Sequence, residues 1–113
     1  MATPEFDICV IGGGAAGLVV SAGGSTLGAK VALVEKHEGG MGGDCLHYGC
    51  VPSKTLLRSA NVAHQMRHAD RYAIGAAVPQ IDISKVMQRV ASVIASIEPN
   101  DSPERFRDRK SVV

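Results

Sequence analysis

Residues 6–35 contain a strand, a glycine-rich turn, a helix and a second strand in direct succession. The β-branched run at 6–11 predicts a buried parallel strand, and the apolar run at 30–35 predicts a second one. Between them, glycines at positions 12, 14 and 17 lead into a small-residue helix that Gly28 can end. This order is typical of a dinucleotide-binding βαβ unit and predicts an α/β, Rossmann-like fold.

Each glycine of this G-x-G-x-x-G pattern has a predicted task. Gly12 would allow the tight turn, Gly14 the close approach of a pyrophosphate, and Gly17 the close packing of helix on strand. Glu35 ends the second strand near the ~20-residue spacing expected of a ribose-binding carboxylate. The alternative is a structural turn with Glu35 as a solvated strand end. The candidate cofactor-binding residues of this unit are Gly12, Gly14, Ala15, Ala16, Gly17, Glu35 and Lys36.

A second motif, at residues 42–54, places two cysteines five positions apart among glycines. Five residues of ideal helix rise about 7.5 Å, beyond the roughly 6.8 Å that separates the Cα atoms of disulfide partners. The backbone between Cys45 and Cys50 is therefore expected to be distorted, and Gly49 offers the freedom for it. This favours a reversible redox couple over a structural disulfide. A metal dithiolate is the alternative, although C-x4-C without a second pair is a poor zinc pattern.

Length, charge and hydropathy limit the number of domains, the partners and the location that can be expected. A chain of 113 residues is at most one domain, and its net charge of +1 gives no reason to expect nucleic acid or an acidic membrane as partner. No apolar run approaches the roughly 18 residues of a membrane span, and residues 1–7 do not resemble a signal peptide. We therefore expect a cytoplasmic protein.

Further helices are predicted beyond the cysteines. Residues 55–67 have the apolar stripe of an amphipathic helix, and residues 72–79 are predicted to be irregular. A second helix, capped by Asp82 or Ser84, is predicted to run to residue 97, and a short helical turn follows near 101–104. The stripe of the first helix is Leu56, Ala60, Ala63 and Met66.

Three other side chains have competing interpretations. Cys9 lies within the first strand and is expected to be a buried hydrophobe. His64 and His68 are spaced i, i+4 and could present two ligands on one helix face, but no third ligand is placed to join them. We expect surface histidines and no metal site.

Gly12–Gly17, Glu35 and the run Gly42–Lys54 together resemble the N-terminal part of the class I flavoprotein disulfide reductases. The C-x4-C-Val-Pro-Ser-Lys motif is closest to dihydrolipoamide dehydrogenase and mercuric reductase, and the resemblance covers roughly residues 5–107. It implies an incomplete Rossmann-like FAD-binding domain over 1–113, with a redox-disulfide helix at about 45–68 and a further helix at about 82–97.

The resemblance also implies residue roles. FAD would be the cofactor, with Glu35 on the adenosine ribose and with Gly43 and Asp44 at the cofactor. Cys50 matches the thiol next to the flavin, Cys45 the interchange thiol, and Lys54 the lysine beside the reactive flavin edge. A helix N-terminus and a lysine are expected to lower the pKa of such thiols. Electrons would pass from NAD(P)H to flavin, to the Cys45–Cys50 disulfide, and on to a small-molecule or protein disulfide or a metal ion.

The chain also departs from that family, whose members are several times longer, form homodimers and carry the NAD(P)H site and a His–Glu acid/base in later domains. Residues 105–113 are highly charged where the family has an apolar strand. We therefore expect a truncated sheet of two strands and a chain that is inactive alone. The alternative is a small dithiol protein that binds a metal or exchanges disulfides without flavin.

Overall fold

The computed structural model describes residues 5–108 and 111–112. The strands are β1 (Ile8–Ile11), β2 (Val31–Val34) and β3 (Ser111–Val112). The α-helices are α1 (Ala15–Thr26), α2 (Gly43–His47), α3 (Cys50–Arg67), α4 (Ile83–Ile97) and α5 (Pro103–Asp108). Single 3-10 turns follow α3 at Ala69–Tyr72 and α4 at Glu98–Asp101.

The sheet is parallel, with the strand order β1-β2-β3. Ile8 pairs with Val31 and Ile11 with Val34, which confirms the predicted βαβ unit. The expectation of two strands is wrong, because Ser111 pairs with Val31 on the far side of β2. The charged C-terminal run is interrupted by Phe106, whose burial anchors α5 and returns the chain to the sheet.

The core lies on one face of this sheet. Leu18 of α1, Leu33 of β2 and Phe106 of α5 pack around Met41, and Val10 joins them from β1. Alternate residues of β2 point into this layer, so that Val31 and Leu33 are almost fully buried. The helices that follow β1 and precede β3 therefore cover the same face.

The opposite face is exposed in the described part of the chain. Ile11 is 87% exposed and Val34 52% exposed, and Cys9 is exposed as well. The predictions of a strand buried on both faces and of a buried Cys9 are therefore wrong here. Parallel sheets are normally covered on both faces, and none of the described residues forms the second layer.

The two adjacent glycines within α1 differ in role. A Cβ on Gly24 would lie 3.0 Å from Ile8 Cδ1 and 3.2 Å from Val31 Cγ2, so this glycine lets the helix pack closely on the sheet. A Cβ on Gly23 would meet nothing within 4 Å, and the structure offers no reason for that glycine. Gly28 follows the helix with φ +93°, as predicted for a C-terminal stop.

Helices α3 and α4 pack as an antiparallel hairpin that projects from the sheet, and the molecule measures 74 × 27 × 18 Å. Of the two predicted cap residues, Asp82 caps α4 and accepts a hydrogen bond from the Ser84 N–H at 2.9 Å. The predicted stripe of α3 is largely wrong, since Thr55 and Ala63 are its buried residues. No helix among the described residues is both long and apolar enough to span a membrane.

We predict that Gly17→Ala destabilises the fold by about 3 kcal/mol, because an added Cβ would collide with the Gly12 carbonyl oxygen. Urea unfolding followed by circular dichroism measures this loss. Gly14→Ala is the matched control: its Cβ would meet nothing within 4 Å and its φ of −72° suits any residue, so it should cost less than about 1 kcal/mol. Equal losses in the two variants would contradict the packing role of Gly17.

Candidate functional site

The turn between β1 and α1 is held by backbone contacts. Gly12 adopts φ +102°, a conformation that glycine reaches easily, and its N–H donates to the Val34 oxygen at 2.7 Å. Gly17 lies so close to the Gly12 carbonyl that no side chain would fit between them. The geometry confirms the tight turn and the close packing predicted for these two glycines.

The N-terminus of α1 opens onto unfilled space. Gly14 is its N-cap residue, no side chain caps the helix, and its first turn has no acidic residue. A Cβ built on Gly12 or Gly14 would meet no atom within 4 Å. Exposed Ala15 and Ala16 form the first turn beside this space. Helix N-termini favour anions, because their N–H groups lack helical partners and the helix dipole is positive there.

Glu35 faces this turn and is not a solvated strand end. Its Oε2 accepts the Gly13 N–H at 2.6 Å and its Oε1 accepts the His37 N–H at 3.0 Å. These two hydrogen bonds, the His37 bond first, lower the pKa of Glu35 and keep it ionised. Lys36 is exposed beside it. Gly13 is not among the predicted site residues, because the G-x-G-x-x-G motif assigns no task to the N–H between its first two glycines.

The segment with the cysteines is attached directly to the same turn. The Gly42 N–H donates to the Gly13 oxygen at 2.9 Å, in an isolated parallel bridge between Gly14 and Gly42. A Cβ on Gly43 would lie 2.8 Å from Gly14 Cα, so the two backbones touch. The His47 Nε2 also donates to the Met41 oxygen at 3.2 Å. These contacts fix α2 against the start of α1.

The predicted distortion between the cysteines is present as a break between two helices. Helix α2 ends at His47 and α3 begins at Cys50, so the single helix expected at about 45–68 is wrong. The Tyr48 and Gly49 N–H groups both donate to the Asp44 oxygen, at 2.9 and 2.5 Å. A Cβ on Gly49 would lie 2.9 Å from that oxygen. Gly49 is therefore needed for close approach, and its φ of −113° is not left-handed.

Cys45 and Cys50 are thiols that contact each other across this break. Cys45 is half-buried, Cys50 is exposed, and Lys54 lies exposed one helical turn beyond Cys50. The hydrogen bond to Cys50, followed by desolvation, raises the pKa of Cys45, while the positive charge of Lys54 lowers it only weakly. The expectation of a lowered thiol pKa is therefore wrong for Cys45 in the dithiol state.

The structure gives the metal-dithiolate alternative little support. Among the residues it describes, no three or more His, Cys, Asp or Glu side chains are grouped to hold a metal ion. Two thiols alone leave a tetrahedral structural zinc site half-filled.

We predict that alkylation of Cys45 in the reduced protein titrates with a midpoint above that of an ordinary cysteine. Cys50→Ala should lower this midpoint because it removes the hydrogen bond that favours the protonated thiol, and Lys54→Ala should raise it further. Mass spectrometry of iodoacetamide-treated protein across pH measures each midpoint. Cys9→Ala is the control and should leave it unchanged, whereas an unchanged midpoint in Cys50→Ala would contradict this assignment.

We predict that Glu35→Gln lowers the urea midpoint at pH 7 and that the difference disappears in acid. Because the folded-state pKa of Glu35 is lowered, its stabilisation is fully present above the ordinary carboxyl pKa of about 4.3 and is lost as pH falls through the folded value. Urea titrations from pH 7 to pH 3 measure this. Glu38→Gln removes an exposed neighbouring carboxylate and is the control. A Glu35→Gln deficit that does not shrink as the pH falls below about 4.3 would contradict the ionic origin.

Comparison with known proteins shows the family to which this chain belongs. A family model described as pyridine nucleotide-disulphide oxidoreductase matches residues 6–110. Dihydrolipoyl dehydrogenase of Bacillus subtilis is 45% identical over 94 residues, which are 83% of this chain and 19% of that protein. The enzyme of the same name from Zymomonas mobilis is 44% identical over 95 residues, 81% of this chain and 20% of that protein. The chain thus spans about one fifth of the length of these relatives.

A solved structure supports the fold independently. The Cu(II) complex of the HOCl-induced flavoprotein disulfide reductase RclA from Escherichia coli superposes with a TM-score of 0.67 at 24% identity. The match covers 94% of this chain and 21% of that one. With the family model covering nearly the whole chain, the protein belongs to the pyridine nucleotide-disulphide oxidoreductases, a family that depends on FAD and NAD(P)H.

Proposed function

We propose that this chain is the N-terminal, FAD-holding and dithiol-bearing part of a flavoprotein disulfide oxidoreductase of the dihydrolipoyl dehydrogenase type. The observation that carries the proposal is the direct backbone contact between the two motifs, in which the Gly42 N–H donates to the Gly13 oxygen at 2.9 Å. This contact supports a dithiol held at a constant position relative to a cofactor bound on the turn.

The residues at the turn fit a dinucleotide. The uncapped N-terminus of α1 and the open space over Gly12 and Gly14 suit a pyrophosphate. Glu35 accepts backbone N–H groups on both carboxylate oxygens, and a carboxylate can accept about four hydrogen bonds, which leaves room for a ribose hydroxyl. The residues that would hold FAD are Gly12, Gly14, Ala15, Ala16, Gly17, Glu35, Lys36, Gly43, Asp44, Cys45, Cys50 and Lys54.

Cys45 and Cys50 would perform reversible thiol–disulfide exchange. The Cys45 thiolate attacks one sulfur of the substrate disulfide, that S–S bond breaks, and the first substrate thiolate leaves. Cys50 then attacks the Cys45 sulfur of the mixed disulfide, which forms the Cys45–Cys50 bond and releases the second substrate thiol. Two electrons pass from the protein dithiol to the substrate. Bound FAD, once reduced by NAD(P)H, would supply the electron pair that returns the disulfide to the dithiol.

The raised pKa of Cys45 supports a further part of the proposal. At neutral pH most of this thiol is protonated, and Lys54 lowers its pKa only weakly. The proton must therefore pass to a base that the described residues do not place beside Cys45. In the full-length enzyme we assign this base, the NAD(P)H site and the homodimer contacts to segments beyond this chain.

The substrate belongs to the same proposal. A small-molecule or protein disulfide suits an exchange site with one half-buried and one exposed thiol, and a metal ion is the less supported acceptor, given the absence of a grouped ligand set in the described residues. A cytoplasmic location completes the proposal.

We predict that the purified chain, incubated with FAD and desalted, retains a flavin absorption spectrum that Gly14→Val abolishes. The valine Cβ would meet no protein atom within 4 Å at the open N-terminus of α1. Circular dichroism should therefore remain that of the wild type. Gly23→Ala, which also adds a side chain in open space but away from the turn, is the control and should retain flavin.

Two outcomes would contradict the proposal. Equal flavin retention in the wild type and Gly14→Val would place the cofactor elsewhere. A wild-type chain that is folded and whose thiols exchange with a disulfide reagent, yet retains no flavin, would favour the small dithiol protein instead.

A further inference from the structure

His64 and His68 form a stacked pair at the C-terminal end of α3. Their ring centroids are 4.2 Å apart and their planes are inclined by 29°. His64 lies in the last turn of the helix and is exposed, while His68 is the half-buried C-cap residue. The i, i+4 spacing places both imidazoles on the same face.

A hydrogen bond orients one of these rings. The His68 Nδ1 lies 2.8 Å from the His64 carbonyl oxygen, which can only accept, so Nδ1 carries the hydrogen. In the neutral ring, Nε2 then keeps its lone pair. Histidines that bind metals usually donate their other ring N–H in this way, and the bond fixes both tautomer and ring orientation.

Contrary to the expectation from the sequence of surface histidines and no metal site, we propose from this geometry that His64 and His68 form a two-histidine site for a divalent transition metal ion, with water completing the coordination. Imidazole nitrogens bind such ions at about 2.0–2.1 Å. The two nitrogen atoms that occupy adjacent positions around one ion are therefore roughly 3 Å apart. With the His68 ring held by its hydrogen bond, a small rotation of the His64 side chain would bring the two nitrogens from the 4.2 Å stacking distance to that separation. Imidazole suits Ni²⁺, Cu²⁺ and Zn²⁺, and with only two protein ligands the ion would remain exchangeable.

This site is separate from the dithiol. His64 and Cys50 stand at opposite ends of α3, and their separation along the helix is roughly 21 Å at 1.5 Å per residue. A metal ion held by the histidines would therefore not touch either thiol. The proposal does not rest on the flavin or on disulfide exchange, and its test can fail without affecting either.

The test is titration of the full chain with Ni²⁺ by isothermal calorimetry, after the thiols have been alkylated so that they cannot bind the metal. We expect one ion per chain, with an affinity that falls about tenfold or more in His64→Ala. His68→Ala should weaken binding equally, and the double variant should be no worse than either single variant, because one remaining imidazole is no longer a chelate.

Two matched controls separate chelation from the mere presence of histidines. His37→Ala removes an exposed histidine elsewhere and should leave the affinity unchanged. Gln65→His combined with His68→Ala keeps the histidine count but makes the pair adjacent in sequence, where side chains do not share a helix face, and it should bind as weakly as His68→Ala. The proposal would be overturned if the respaced variant bound Ni²⁺ with the wild-type affinity, or if the losses of affinity in the single variants were additive. It would also be overturned if His37→Ala weakened binding as much as His64→Ala, because the ion would then be adventitious only.

Discussion

The backbone contact between two glycine pairs, Gly13–Gly14 and Gly42–Gly43, is the constraint on which the rest of the site depends. It joins the turn after β1 to the start of α2 through the hydrogen bond from the Gly42 N–H to the Gly13 oxygen. Gly43 also lies so close to the Cα of Gly14 that a side chain on Gly43 would not fit. Glu35 stabilises the same contact, because its Oε2 accepts the Gly13 N–H while the Gly13 oxygen accepts the Gly42 N–H. The dithiol is thus positioned by main-chain atoms, which vary less in position than flexible side chains.

The helix break between the cysteines also depends on main-chain hydrogen bonds. Helix α2 is fixed on the glycine turn, and it ends where the Tyr48 and Gly49 N–H groups both donate to the Asp44 oxygen. The break brings the two thiols into contact, and that contact raises the pKa of Cys45. The contact between the two thiols therefore makes the reduced Cys45 less reactive, because it favours the protonated thiol.

The exposed surfaces are consistent with a chain that spans about one fifth of its relatives. One face of the sheet is packed by Leu18 and Phe106, while the other exposes Ile11 and Val34. Helices α3 and α4 likewise leave a groove of about 1010 Å³ lined by residues such as Leu57 and Ile81. Apolar surfaces of this extent usually contact other protein segments.

The sequence by itself determined the βαβ unit, the tasks of Gly12 and Gly17, a helix cap at Asp82 or Ser84 and the need for a distortion before Cys50. These are local properties, because glycine spacing, capping side chains and helical rise depend on a few neighbouring residues. Only the tertiary structure decided that Glu35 binds the Gly13 N–H, that Ser111–Val112 extends the sheet, that Cys9 is exposed and that the pKa of Cys45 is raised. Each of these depends on which distant segments meet in space, and periodicity along the chain carries no information about such meetings.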